Sequence, residues 1–130
     1  QKFQKIISKK SGKIKQVLMD QKNIAGIGNI YADEILWEAG AHPARVAKSI
    51  TEEELKKIYK AILNILKIAI KEKGDSMSDY RRPSGEKGNY QNMQNAYRQT
   101  GKLCKKNDGG IIKRIKLGQR STHFCSVHQK

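Results

Sequence analysis

The run from Thr51 to Gly74 constrains the fold most. Leu55, Ile58, Tyr59, Ile62, Leu66 and Ala69 recur at i, i+3, i+4 and i+7. That spacing lines one side of an α-helix, whereas a strand would need a period of two. Thr51 and Glu54 stand three apart, the signature of a capping box, and Gly74 supplies a C-terminal stop. The stripe is most simply core, and no ligand is assigned to it.

The flanking segments are shorter and follow the same period. Phe3, Ile6 and Ile7 predict a short helix, and Ile14, Val17 and Leu18 share one face of a second helical piece over residues 13–20. In "AGIGNIYADEILWEAGAHP", Gly26 and Gly28 bracket a tight turn and Asn29 is placed to cap the next helix. Asp33 and Glu34 lie early in it, where they suit its dipole. Ile30, Ile35 and Leu36 form its inner face, with Trp37 at the edge. Gly40 ends it, and His42-Pro43 marks a break. From residue 74 to 94 no period survives, and three glycines and a proline predict a long loop. "IIKRIKL" and "STHFC", joined through Gly118, read as a β-hairpin. No internal repeat is visible.

Charge narrows the partner. Lys and Arg number 27 against 12 Asp and Glu, a formal net charge of +15. An excess of this size favours a polyanion, with nucleic acid ahead of an anionic membrane surface, over a soluble protein that merely has a basic exterior. No apolar run approaches the ~18 residues of a bilayer span, and the opening "QKFQKIISKKSGK" lacks the apolar centre of a signal peptide. Two cysteines without a secretion signal suggest a reducing compartment.

Two motifs carry chemistry. In "GIGN", glycines at a helix N-terminus let main-chain N–H groups approach a phosphate, and Asn29 adds a side-chain donor. The plain alternative is a helix–helix connection. In "GQRSTHFC", Gln119, Arg120, Ser121 and Thr122 are dense in phosphate donors, and an Arg can bind a phosphate with two parallel bonds. The plain alternative here is a solvated basic hairpin.

The order of these pieces is more specific than either alone. "MDQKNIAGIGNIYADEILWEAGAHP", a capped helix, "GDSMSDYRRPSGEKGNY", "AYRQTGKLC" and "GQRSTHFC" together resemble the C-terminal half of the formamidopyrimidine-DNA glycosylase and endonuclease VIII family. The resemblance runs through essentially the whole chain, and "AGIGNIYADEIL" and "GQRST" are its most specific parts. It implies a mainly α fold: a helix–two-turns–helix unit over residues 1–94 with a lesion-side loop at 74–94, then a β-hairpin finger over residues 95–130. It also implies base-excision repair of oxidised purines (8-oxoguanine and formamidopyrimidines) in double-stranded DNA, by a glycosylase that is also an abasic-site lyase. Asn29 matches the family asparagine on backbone phosphates, and Arg120 matches the finger arginine that grips phosphates flanking the extruded nucleotide. Tyr97 lies where relatives hold a tyrosine near the backbone. Gly26, Gly28, Gln119 and Ser121 complete the expected DNA contacts. Ser78, Tyr80, Arg81, Arg82 and Tyr90 fall in the expected lesion loop, with Ser78 where many relatives carry a basic residue and Arg81 or Arg82 as its replacement.

The family nucleophile is an N-terminal proline on a separate β-sandwich. This chain opens at Gln1, and nothing around its lysines suggests a lowered pKa. The expectation is a DNA-binding half, inactive alone, that partners a missing N-terminal catalytic domain. A bacterial-type cytoplasm and a monomer are also expected. The alternative is a free-standing nucleic-acid-binding module without catalysis.

The family finger carries two Cys pairs about 16 residues apart, and zinc takes four thiolate or imidazole donors best. This chain has only Cys104 and Cys125. His128 replaces the last cysteine in "CSVH". In the first knuckle Asn107 keeps the local spacing, whereas Asp108 sits directly before Gly109 and leaves 16 residues before Cys125. An anionic oxygen is the better ligand, so Cys104, Asp108, Cys125 and His128 form the preferred zinc set. A metal-free hairpin and a Cys104–Cys125 disulfide are the other readings. His123, beside Phe124, reads as a surface or strand residue and not as a ligand.

Overall fold

The computed structural model describes residues 2–20, 27–71 and 94–130. Four helices and one hairpin carry it: α1 (Lys2–Ser8), α2 (Ile14–Met19), α3 (Asn29–Ala39), α4 (Glu52–Lys71), β1 (Ile112–Leu117) and β2 (Arg120–Cys125). The strands are antiparallel, with Leu117 opposite Arg120 and Ile112 opposite Cys125. Among the described residues no helix is long and apolar enough to cross a membrane.

The stripe on α4 becomes core. Leu55, Ile58, Ile62 and Ile65 are buried with Ile7, Ile14, Leu18, Ile30, Ile35 and Leu36 in one cluster. The capping box forms in full: the Glu54 N–H donates to Thr51 Oγ1 at 3.2 Å, and the Thr51 N–H donates to Glu54 Oε1 at 2.9 Å. Such a cap is worth about 1 kcal/mol. Arg45 also bonds the Glu54 carboxylate, and that bond, more than the cap, holds the Glu54 pKa down to about 2. Gly74 and the loop beyond it lie outside the described residues.

Helix α3 is the spine. It packs on α2, α4 and β2. Its end is the one the sequence predicts: Gly40 takes φ +78°, and its N–H bonds the Leu36 carbonyl at 2.9 Å. Its start is not. Gly28 is the N-cap residue and Asn29 is the first helical residue, with no side-chain cap bond, so Asn29 is spent elsewhere. Asp33 and Glu34 also depart from the dipole reading. They lie beyond the first turn and are each 1% exposed. Spacing explains this, because both fall three or four residues from Ile30 and Trp37 and therefore on the inner face.

Candidate nucleic-acid interface and metal centre

The N-terminal half of α3 meets the hairpin through a buried polar knot. Lys15, on α2, is 1% exposed. Its ammonium donates to Thr122 Oγ1 at 2.8 Å and to the Ser121 carbonyl at 3.0 Å, and it faces Asp33 Oδ1 at 2.8 Å. Three donors thus meet three acceptors. Contrary to the expectation that no lysine here is shifted, burial lowers the Lys15 pKa; the Asp33 carboxylate opposes that shift, and the Arg120 charge adds to it. The other Asp33 oxygen receives the His123 N–H at 3.1 Å and lies 3.0 Å from His123 Nδ1. His123 is thus a strand residue, but a buried one.

Asn29 joins the same knot. Its Nδ2 donates to the Ser121 carbonyl at 3.2 Å, across 92 positions of sequence. One amide N–H is used there, and an amide has two. Gln119 and Arg120 follow at the exposed hairpin turn, with Ser121 half-buried. Gly28 is exposed, and a Cβ there would touch nothing within 4 Å. Tyr97 packs edge-on to His123, ring centroids 5.0 Å apart. Of the residues expected to contact DNA, Asn29, Arg120, Ser121 and Tyr97 therefore converge on one place. Gly26, Ser78, Tyr80, Arg81, Arg82 and Tyr90 lie outside the described residues.

Glu34 fastens the segment leading into the finger. Its carboxylate accepts N–H groups from Asn95, Ala96 and Tyr97 at 2.8, 2.9 and 2.8 Å. Burial pushes its pKa up, and those three bonds pull it back only in part.

The other end of α3 carries the four-donor cluster. One ligand atom each from Cys104, Asp108, Cys125 and His128 lies within 4.8 Å of all the others. Cys104 Sγ is 3.6 Å from His128 Nδ1, and Cys125 Sγ is 3.2 Å from Asp108 Oδ2. Tetrahedral coordination by sulfur, nitrogen and oxygen spaces donors about 3.3–3.8 Å apart, so these separations suit a divalent ion. His128 Nδ1 and Asp108 Oδ2 are closer, at 2.7 Å, a distance that requires a proton or a cation between them. His128 Nε2 lies 2.8 Å from the Trp37 carbonyl. A carbonyl only accepts, so Nε2 carries hydrogen and Nδ1 turns to the cluster, the orientation a metal ligand needs.

The backbone is shaped around these donors. Asn107 and Gly109 hold φ +57° and +81° on either side of Asp108. A Cβ on Gly110 would come within 2.6 Å of Cys125 Sγ and 2.9 Å of Asp108 Oδ1, so only glycine backs the site. The Val127 N–H points at Cys125 Sγ from 3.4 Å. Burial raises the Cys125 thiol pKa. Burial also opposes ionisation of Asp108, but bonds from the Gly110 N–H, Cys125, His128 and Cys104 outweigh it and hold the carboxyl at about 2. Both cysteines are unbridged, and Asn107 is exposed. The donor set fits a metal, and Asp108, not Asn107, belongs to it.

A cavity of about 550 Å³ opens beside Glu38, Lys57, Lys60, Leu63 and Lys67. It borders the C-terminal turn of α3, roughly 15 Å along the helix from Asn29, and takes no part in either cluster.

The sequence reading missed Lys15, Asp33, Glu34 and His123 as a structural set. The signal was present for Lys15, which sits three residues before Leu18 on the apolar face of α2.

A helical bundle whose spine helix meets a basic, metal-competent hairpin defines a helix–two-turns–helix module with a C-terminal finger. Residues 1–81 match the family model described as the formamidopyrimidine-DNA glycosylase H2TH domain, and the chain belongs to that family. It is 47% identical over 128 residues to the formamidopyrimidine-DNA glycosylase of Prochlorococcus marinus strain MIT 9312, an overlap that takes in 98% of this chain and 43% of that protein. It is 45% identical over 117 residues to the one from Carboxydothermus hydrogenoformans, covering 90% of this chain and 44% of that protein. Among solved structures, Lactococcus lactis Fpg in complex with abasic-site DNA superposes with a TM-score of 0.88 at 38% identity, over 98% of this chain and 46% of that one. MutM in complex with DNA containing carbocyclic 8-oxo-G superposes at 0.87 and 38%, with the same coverage. The chain spans less than half the length of these relatives.

Proposed function

We propose that this chain is the DNA-binding half of a base-excision-repair glycosylase and abasic-site lyase acting on oxidised purines. Residues 1–94 supply the helical unit and residues 95–130 the finger. Asn29 and Arg120 hold backbone phosphates beside an extruded nucleotide, with Gly26, Gly28, Tyr97, Gln119 and Ser121 completing the contact. Ser78, Tyr80, Arg81, Arg82 and Tyr90 serve the lesion loop. One observation carries the reading: Asn29, at the start of α3, and the Arg120–Ser121 turn are brought side by side by the Asn29–Ser121 bond and the Lys15 knot. Flipping a base costs a few kcal/mol, and a firm hold on the flanking backbone offsets part of that cost.

Cys104, Asp108, Cys125 and His128 would hold one zinc ion, which when bound supplies a structural crosslink and no chemistry on the base. His128 and Asp108 orient the knuckles, and Gly110 leaves room for the Cys125 sulfur. The protein acts as a monomer in a reducing, cytoplasm-like compartment, with the catalytic proline on a separate N-terminal domain.

Titrating the chain with a duplex that carries an abasic analogue tests the binding. Affinity should fall with salt at a log–log slope near −0.9 per phosphate neutralised, and a flat response would sink the proposal. Borohydride reduction on abasic DNA tests the division of labour. No covalent adduct is expected from this chain alone, and a trapped adduct would place a nucleophile within it.

A further inference from the structure

The cavity beside the C-terminal turn of α3 is explained by neither cluster. Its volume is about 550 Å³. Ala39, Ala61 and Leu63 give it apolar walls, and Lys57, Lys60 and Lys67 stand around it. Helical spacing puts them there. Lys57, Lys60, Asn64 and Lys67 succeed one another at three or four positions along α4, and Leu63 lies three from Lys60 and four from Lys67. A single exposed leucine is ordinary on a protein surface. Leu63 differs because, at 53% exposure, it lines a hollow rimmed by cations.

All three lysines are exposed, and among the described residues no carboxylate lies within ion-pair reach of them. Glu38 is the one acid among the described lining residues. It is half-buried, and its Oε1 accepts from Asn64 Nδ2 at 2.9 Å. An occupant that satisfies this hollow carries negative charge for the lysines and an apolar group for Leu63. Glu38 then decides between peptide and nucleic acid. A fixed carboxylate accepts an N–H from a peptide backbone, whereas a phosphodiester has no hydrogen to give and is repelled. The proposed phosphate contacts gather at the opposite end of α3.

We propose that this hollow docks an acidic segment of a partner protein, a short stretch with one apolar anchor flanked by Asp or Glu. The anchor packs on Ala39, Ala61 and Leu63, the flanking carboxylates pair with Lys57, Lys60 and Lys67, and the Glu38 carboxylate takes a main-chain N–H. Apolar burial supplies affinity, and the lysines supply partner choice and encounter rate. The proposal makes no use of the phosphate grip and can fail without it.

The test uses the 130-residue chain and a fluorescein-labelled acidic peptide with one central leucine, read by anisotropy. A Kd below about 1 mM is expected, and weaker binding would overturn the proposal. Changing the peptide's leucine to serine should weaken binding about tenfold. Leu63→Glu should weaken it by as much and leave the melting temperature and the abasic-duplex affinity unchanged. Lys60→Gln and Lys67→Gln should each cost about twofold to fivefold. Equal binding of the leucine and serine peptides would overturn the proposal and leave a basic surface that takes any polyanion. Displacement of the peptide by duplex DNA, with duplex affinity lost in Leu63→Glu, would overturn it by making the hollow part of the DNA face. A longer form of the protein that carries an N-terminal domain and no longer binds the peptide would make that domain the occupant. A dimer in sedimentation that Leu63→Glu abolishes would make the occupant a second copy, and either result overturns the proposal.

Discussion

The two ends of α3 use polar groups in opposite ways. Near its N-terminal end, Lys15, Asp33, Thr122, Ser121 and His123 form a knot whose charges and hydrogens match within the protein. Near its C-terminal end, Cys104, Asp108, Cys125 and His128 bring four potential ligand atoms within 4.8 Å of one another around the Asp108 carboxylate. Only a proton or a cation reconciles His128 Nδ1 and Asp108 Oδ2 at 2.7 Å. The first cluster closes on itself apart from the buried Asn29 Oδ1, and the second has the donor set to receive an ion. Burial goes with this difference, for the Lys15 and Asp33 side chains are 1% and 0% exposed and those of His128 and Asp108 are each 16% exposed.

The strongest way to break the comparison is Asp33→Ala. It strands a buried ammonium and frees His123, and should cost about 3–5 kcal/mol in urea unfolding. The double change Lys15→Met, Asp33→Leu should recover most of that loss. If Asp33→Ala cost under about 1 kcal/mol, the knot would not be the buried unit described.

Chelation should act on the other end alone. With zinc on the proposed four donors, a chelator should lower the melting temperature of the purified chain and leave Asp108→Ala, expected to bind the ion weakly, far less affected. Zinc content that is equal in Asp108→Ala and wild type would remove Asp108 from the ligand set.

Glu34→Ala leaves three N–H groups without their acceptor and should cost about 1–3 kcal/mol. Faster amide exchange at Ala96 and Tyr97 is the specific readout.

The smallest effect belongs to the Arg45–Glu54 pair, whose side chains are 25% and 33% exposed. The folded-state pKa of Glu54 lies near 2, below its ordinary 4.5. Its contribution is therefore full above about 4.5 and is lost as the pH falls through about 2. Glu54→Gln should cost about 1 kcal/mol near neutral pH, discounted for exposure, and almost nothing near pH 2.

Much of this was legible in the sequence. The capped helix, the Gly40 stop, the hairpin and its turn follow from local rules of period, capping and turn chemistry. The four-donor cluster was legible because metal chemistry restricts residue type as well as spacing. The knot was not. Lys15, Asp33 and His123 are ordinary surface residues by type; helical period puts Lys15 and Asp33 on inner faces, but their pairing is a meeting of three elements that no local period encodes. Asn29 was misread for the same reason: as a cap it would act within its own helix, whereas its partner is a carbonyl 92 positions away.

The central claim is that α3 and the hairpin make one grip, with Asn29 and Arg120 coupled through Ser121. A double-mutant cycle on abasic-analogue duplex binding tests it most directly, using Asn29→Ala, Arg120→Gln and the double variant. Residues sharing one network should show a coupling of about 0.5–3 kcal/mol. Losses that simply add, to within about 0.3 kcal/mol, would contradict it and leave two independent contacts.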